Sequence, residues 1–337
     1  MASTPQSSSK TSQPIKTITP ERSSPSSGVF VMKTLLIIIL CSAFAHAAPQ
    51  QAAFQWNPIQ IGKTSFIPIA EVKNFFGFQT ITIHEGTLTL DSPSTKITCS
   101  LGGHITYING TKFLTAHPIR QLEGSHYISQ HDITTLIAPL LRPQQAPKLR
   151  KPTTIVLDPG HGGHDHGAAG KEAQLTLALA LQIKSLLEKA GLNVVITRDQ
   201  DEFVSLTNRV KIANAHKDAI LISLHFNSGN KNATGFETYI MSARPQANKN
   251  NAASLALAAA IHSQALLHLG EGAIKDRGIR RARFNILQGC IHPVIIIEAG
   301  FLSNQQESAM IQDQTFQKKL AEGIVRGISI YRNTEKE

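Results

Sequence analysis

The stretch TTIVLDPGHGGHDHGAAGKEAQLTLALALQIKSLLEKAG, residues Thr153–Gly191, decides the fold. Thr153–Asp158 is a short apolar run of the kind that fills a strand buried on both faces. A glycine-rich loop follows. From Glu172 an apolar pattern at helical spacing runs on to Gly191, where glycine ends a helix. The alternation continues downstream. LNVVITR (192–198) reads as a strand, SLTNRVKIANAH (205–216) as a helix, and AILISLHFN (219–227) and GFETYIM (235–241) as strands. A long Ala/Leu-rich helix from Ala252 to about Leu269, the strand PVIIIEAGF (293–301) and a closing helix from about Phe316 to Tyr331 complete the pattern. Apolar strands between helices predict an α/β domain over 153–333, a twisted, mostly parallel sheet flanked by helices. In such sheets, binding sites lie beyond the carboxyl ends of the strands.

Upstream, residues 52–141 read differently, as a smaller α+β domain. QTITIHEGTLTLD (79–91) predicts a hairpin about Glu85-Gly86, and HITYINGTKFL (104–114) carries an Asn-Gly turn between two strands. SFIPIAEVKNFFGF (65–78) and HYISQHDITTLIAPLL (126–141) share a strand-then-helix order, which suggests two copies of a small unit. The histidines here are scattered, so this region reads as an accessory or binding domain. The Pro-rich, basic segment 142–152 reads as a linker.

The N-terminus carries a targeting pattern. Residues 1–31 are rich in Ser, Thr and Pro and lack the apolar surface to offset ordering entropy, so disorder is expected. From Met32 a basic residue, a short apolar run and Ala45-His46-Ala47 follow, the pattern of a secretory signal peptide cleaved near Ala47. Translation is therefore expected to start at Met32. The apolar run is too short to span a bilayer, so stable membrane insertion is not expected. The exported product is periplasmic or extracellular. Its two cysteines, Cys99 and Cys290, fall in different expected domains and do not suggest a disulfide. The net charge of +10 suits an anionic wall or membrane surface; nucleic acid is excluded by export.

Three of the expected strands end in a group able to bind a metal or move a proton: His161 after the first, His225 at the end of ILISLH, and Glu298 at the end of VIIIE. Glu172 opens the first helix on the same rim. Two imidazoles and one carboxylate make a three-ligand Zn²⁺ site with a fourth position open, and a second carboxylate is left to act as a base. Glu298 follows four apolar residues, where an ionisable group is costly without a partner or a task.

DPGHGG (158–163), Lys171-Glu172, ISLHFN (222–227) and VIIIEAGFLSN (294–304) together resemble the signature blocks of the zinc-dependent N-acetylmuramoyl-L-alanine amidases of the Amidase_3 family. The resemblance covers roughly Thr153 to Tyr331. It implies a twisted mixed sheet, Zn²⁺ held by His161, Glu172 and His225, and Glu298 as the catalytic base. It also implies hydrolysis of the amide between N-acetylmuramic acid and L-alanine in peptidoglycan, in wall remodelling and division. His164 and His166 occupy positions that vary in the family and are expected on the rim; Asp158 and Asp165 are expected to brace the loop or orient an imidazole.

Asn227 and Asn304 are candidates for binding substrate or for fixing loops, and Arg280, Arg281 and Arg283 for gripping stem-peptide carboxylates or else as solvated charges. Some family members carry an inhibitory helix over the zinc. SARPQANKNNAAS (242–254) is too short for one, so an open groove is expected, with control by localisation or through a division or wall-associated protein partner of the N-terminal domain. A non-catalytic wall-binding protein and a zinc peptidase cutting within the stem peptide are the competing readings.

Overall fold

A computed structural model describes residues 55–143, 151–242 and 250–333. The expected disordered stretch, the signal peptide, residues 144–150 of the expected linker and residues 243–249 lie outside these.

The chain opens with β1 (Ile59–Ile61), β2 (Thr64–Pro68) and helix α1 (Ile69–Phe76). A run of strands follows: β3 (Thr80–His84), β4 (Thr87–Asp91), β5 (Lys96–Ser100), β6 (Ile105–Ile108), β7 (Thr111–Leu114), β8 (Arg120–Leu122) and β9 (Ser125–Ser129). A helical segment closes this region as α2 (Gln130–Asp132), a π-turn at Ile133–Ile137, and α3 (Ala138–Leu141). The second region runs β10 (Thr154–Pro159), α4 (Glu172–Lys189), β11 (Asn193–Ile196), α5 (Leu206–Asn214), β12 (Ala219–Asn227), β13 (Phe236–Met241) and α6 (Asn251–Leu269). It ends with β14 (Asp276–Ala282), α7 (Asn285–Gly289), β15 (Val294–Phe301), α8 (Gln305–Ile311) and α9 (Gln314–Asn333).

Both expected turns form where the sequence places them. Glu85-Gly86 and Asn109-Gly110 have positive φ at both positions, the backbone a two-residue hairpin needs. His84 faces Thr87, and Ile108 faces Thr111, across them. The strands of the two strand-then-helix segments, β2 and β9, pair with one another inside a small sheet ordered β1-β2-β9-β8.

All other strands join one sheet in the order β11-β10-β12-β15-β13-β14-β7-β6-β5-β4-β3. The expectation of a mostly parallel sheet needs correcting. Of its ten neighbouring pairs five are antiparallel, because β13 runs against β15 and β3–β7 form an antiparallel meander that prolongs the sheet. The link is β14, whose Ile279 sits beside Phe113 of β7 in parallel register. The fold is α/β with a large mixed sheet.

One face of this sheet packs on a single core that joins both regions. Leu90, Ile97 and Phe113 of the meander belong to the same buried cluster as Ile155, Ile222 and Ile297 and as Ile261 and Ile324 of α6 and α9. The two helices touch closely: a Cβ on Gly327 would lie 2.5 Å from the Ile261 Cα. By length and apolarity α6 could cross a membrane, but half of it is buried within the protein, as befits a core helix. The opposite face is covered over β10–β15 by α5 and α7, through Val156, Leu221, Val294, Ile296, Ala213 and Leu287. Cys99 and Cys290 lie in different clusters, and burial pushes both thiols up to about 11.

Candidate metal centre

β10, β12 and β15 are mutually parallel, so their carboxyl ends meet at one edge. There the DPGHG turn would tend to splay, since its carbonyls have no strand to pair with. Two buried arginines hold it. Arg198 donates to the carbonyls of Pro159 (3.1 Å), Gly160 (2.7 Å) and Ala173 (2.7 Å). Arg209 donates to those of Pro159 (2.5 Å) and His161 (2.6 Å) and to the Asp158 carboxylate (2.8 Å). Asp158 also accepts from the Thr197 and Ser223 hydroxyls, both at 2.7 Å. It is a brace, as expected.

This frame brings His161, Glu172 and His225 together. Glu172, 3% exposed, places Oε2 at 3.1 Å from His161 Nε2 and Oε1 at 2.9 Å from His225 Nδ1. It also accepts from the backbone N–H of Ala168 (2.7 Å) and Phe226 (3.1 Å). Glycine makes the approach possible: a Cβ on Gly160 would lie 2.2 Å from the His225 ring, and one on Gly167 2.6 Å from Glu172 Oε2.

One donor atom from each of the three residues lies within 4.8 Å of the other two. The shorter separations approach the roughly 3.3 Å between ligand atoms around a tetrahedral ion with bonds near 2 Å. Two imidazoles and one carboxylate are the donor chemistry of a three-ligand divalent-metal site, so these residues fit such an ion.

Asp165 completes the set. Its Oδ1 lies 2.9 Å from His161 Nδ1, which directs Nε2 toward Glu172. Asp165→Asn is expected to weaken metal binding about 10- to 100-fold with little change in fold; calorimetric titration of the metal-free protein checks this.

The protonation states follow from these contacts. The hydrogen bond that His161 donates to the Glu172 carboxylate raises His161 to about 9, against a smaller opposing effect of burial. Burial alone would lower His225, but the Glu172 hydrogen bond and the charges of Glu298 and Glu172 leave it raised. Burial would raise Glu172, but its two imidazole partners hold it well below the usual carboxylate range. His161 is thus protonated at neutral pH in the metal-free protein, and an entering ion must displace that proton. Metal affinity is expected to climb at least about tenfold per pH unit while His161 is protonated, more steeply where His225 is protonated as well, and to level off near pH 9. The stability His161 lends the metal-free fold runs the other way: it is complete below about pH 6.5 and is lost as pH rises through 9. Buffer-dependent calorimetry and metal-free melting curves measure the two slopes.

Glu298 stands opposite His225 on one side and Glu237 on the other in the strand register. The two glutamates differ in surroundings. Glu237 accepts from Asn227 Nδ2 (2.7 Å), the Tyr239 hydroxyl (2.8 Å) and Arg277 Nε (2.6 Å), with Arg280 Nε at 3.3 Å. Glu298 Oε2 is buried with no hydrogen-bond partner. Burial pushes Glu298 up to about 7, helped by the charges of Glu172 and Glu237 and opposed by His225. A carboxyl group so placed can take and return a proton near neutrality.

His164 and His166 are exposed and stand outside the donor group; the His164 ring lies 4.2 Å from that of Phe203. Asn227 is spent on Glu237, and its carbonyl oxygen on the Ser228 N–H. Asn304 caps α8 through the Glu307 N–H (3.0 Å) and donates to the Lys231 carbonyl (2.8 Å). Both asparagines therefore fix loops. Arg281 donates to the Thr135 carbonyl (2.7 Å), tying β14 to the N-terminal region.

Arg283 needs correcting. Because β13 and β14 run against β15, Gly278 is level with Glu237 and Glu298, and Arg283 lies five residues further, roughly 16 Å toward the opposite edge. Arg277, bonded to Glu237, is the arginine at the site edge. Sequence reasoning also missed Glu237 itself, Arg198 and Arg209. Glu237 left a signal, since it is ionisable inside an apolar strand, as Glu298 is.

A mixed α/β sheet with a two-histidine, one-glutamate group at its carboxyl edge and a half-buried glutamate alongside defines the class, a candidate metallohydrolase. Residues 155–330 match Amidase_3, N-acetylmuramoyl-L-alanine amidase, and the chain belongs to that family. It is 33% identical over 187 residues to the sporulation-specific N-acetylmuramoyl-L-alanine amidase of Bacillus subtilis (strain 168), a match spanning 54% of this chain and 69% of that one. It is 32% identical over 187 residues to the N-acetylmuramoyl-L-alanine amidase CwlM of Bacillus licheniformis, spanning 54% and 70%. Among solved structures, it resembles the catalytic domain of CwlV, an N-acetylmuramoyl-L-alanine amidase from Bacillus (Paenibacillus) polymyxa var. colistinus. That resemblance has 35% identity and a TM-score of 0.48 and covers 54% of this chain and 98% of that one.

Proposed function

We infer that this chain hydrolyses the amide between N-acetylmuramic acid and L-alanine in peptidoglycan, with Zn²⁺ held by His161, Glu172 and His225 and with Glu298 as the proton-transfer group. The observation that carries the reading is the meeting of three ligand-type side chains from separate segments, with a half-buried glutamate next to His225 that has one buried, unsatisfied oxygen. Bound zinc would supply the positive charge that polarises the scissile carbonyl and eases deprotonation of the attacking water. Glu298 accepts that water's proton and returns it to the nitrogen of the departing L-alanine. Asp165 keeps the His161 ring in its binding tautomer, and Arg198 and Arg209 keep the loop beneath it from moving. Glu237, paired with Arg277 and Arg280, holds β13 beside Glu298.

In this reading the enzyme works in the periplasm or outside the cell, in wall remodelling and division; the wall-amidase relatives and the signal-peptide pattern at 32–47 support it. The sequence between β13 and α6 is too short for an inhibitory helix, so this reading has an open groove, with control by localisation or by a division or wall-associated partner of region 52–141. Digestion of purified peptidoglycan followed by mass spectrometry tests the reading. The zinc-loaded chain, without any added protein, is expected to release intact stem peptides and leave peptide-free sugar strands. Cuts inside the stem peptide would identify the peptidase instead, and inertness until a partner is added would rule out the open groove.

A further inference from the structure

The ladder between β13 and β14 is regular except at one place. Phe236 faces Asp276 and Glu237 faces Gly278, so the strand carries one extra residue at Arg277, a β-bulge. The bulge changes which arginines share a side. Side chains alternate along an unbroken strand, so Arg277 and Arg280, three residues apart, would point to opposite faces. Here both turn to Glu237, with Arg277 Nε at 2.6 Å and Arg280 Nε at 3.3 Å from its Oε2.

The surroundings hold the bulge in place. Gly278 takes positive φ there, and its N–H donates to the Asp276 carboxylate (2.7 Å), which lies 3.0 Å from Nε2 of the fully buried His262. Gly235 leaves the room that the Arg277 side chain fills, since a Cβ on it would stand 2.6 Å from the Arg277 Cγ.

The two arginines differ in what they have left to offer. Arg277 Nη1 donates to the Thr234 carbonyl (3.3 Å), its guanidinium lies 5.0 Å from the Phe301 ring centroid, and the charge of Glu307 also reaches it. Arg280 spends only Nε, on Glu237 and on the Arg277 carbonyl (3.4 Å); among the described residues neither of its Nη groups has a hydrogen-bond partner. Its side chain is 30% exposed, whereas Glu237 is 1% exposed. The carboxylate is thus shut away from solvent while a fixed guanidinium offers its paired Nη groups. That side-by-side pair matches the two oxygens of a carboxylate.

Reach decides which carboxylate. Glu237 stands one strand, about 4.8 Å, from Glu298, and Arg280 Nε is 3.3 Å from its Oε2, so the guanidinium lies roughly 8 Å from the Glu298 position. In the stem peptide L-alanine spans about 3.5 Å. The α-carboxyl of the second residue, a glutamate joined onward through its side chain, therefore falls roughly 7 Å from the scissile amide, and carboxyl groups further along lie beyond about 10 Å.

We propose that Arg280, fixed against Glu237 beside Arg277, binds the free α-carboxylate of the second stem residue and makes the enzyme select stems in which that group is an acid rather than an amide. This rests on the amidase reading above and adds the feature of the substrate that sets its specificity.

The test uses two disaccharide–dipeptide substrates that differ only at that group, a free acid in one and an amide in the other. The zinc-loaded chain is expected to favour the acid about tenfold in kcat/KM, through KM, and Arg280→Gln to reduce the preference to about one. Because the preference is a ratio measured on one protein, a variant that is merely less stable keeps it. No preference in the wild type, or a preference that Arg280→Gln leaves unchanged, overturns the proposal. Calorimetric binding of the same pair to zinc-loaded Glu298→Gln reads the anchor without cleavage. Binding of the acid that is about tenfold tighter, and no longer so once Arg280→Gln is added, supports it; equal binding of the two overturns it. A chain that cuts neither substrate nor polymeric peptidoglycan contradicts the amidase reading, while the calorimetry still decides the anchor.

Discussion

His161→Ala is expected to abolish both metal retention and turnover, with activity on peptidoglycan falling at least about 10³-fold. The imidazole supplies one of only three side-chain ligands, and two ligands do not hold a catalytic zinc at ordinary concentrations. The fold should survive. Glu172 keeps its hydrogen bonds from Ala168, Phe226 and His225, so its buried carboxylate is not orphaned. Elemental analysis of the purified variant, alongside circular dichroism and an activity assay, separates loss of metal from loss of structure. A variant that keeps both stoichiometric zinc and activity would remove His161 from the site.

Glu298→Gln is expected to lose about 10²- to 10⁴-fold in kcat while retaining zinc at the wild-type level, the range for removal of a general acid–base group. Glutamine has the same shape but neither takes nor returns the proton. It also relieves a cost: the carboxylate has an oxygen without a hydrogen bond in a site whose burial and neighbouring Glu172 and Glu237 charges disfavour ionisation. The melting temperature is therefore expected to hold or rise, the sign of a group kept for chemistry at the expense of stability. Together the two variants distinguish the roles. One loses the ion and the reaction, the other only the reaction.

The four residues that converge were legible because each stands at a strand end or helix start, and because apolar runs such as ILISLH and VIIIE announce buried strands with a polar terminus. Two of the meander's four hairpins were legible from dipeptides whose backbone demands are local. Strand β14 was not. DRGIRRA has four charged residues in seven and no apolar alternation, and it forms a strand only because β13 and β7 supply hydrogen-bond partners on both sides. Missing it hid the join between the two regions. It also misplaced Arg283, whose position depends on the direction of a strand that periodicity does not reveal. Arg198 and Arg209 look like surface charges in sequence, and only the turn of unpaired carbonyls at Pro159–His161 explains why they are buried. Tertiary partners, which are remote in sequence, decide each of these cases.

The central claim is that two imidazoles and one carboxylate from distant segments hold a single zinc ion with a coordination position left for water or substrate. X-ray absorption at the zinc edge of the purified, metal-loaded chain tests it directly. The expected result is one zinc per chain in a shell of nitrogen and oxygen at about 2.0–2.1 Å, with outer-shell scattering from two imidazoles that drops to one in His225→Ala. A spectrum without imidazole scattering, or one that His225→Ala leaves unchanged, would contradict the account.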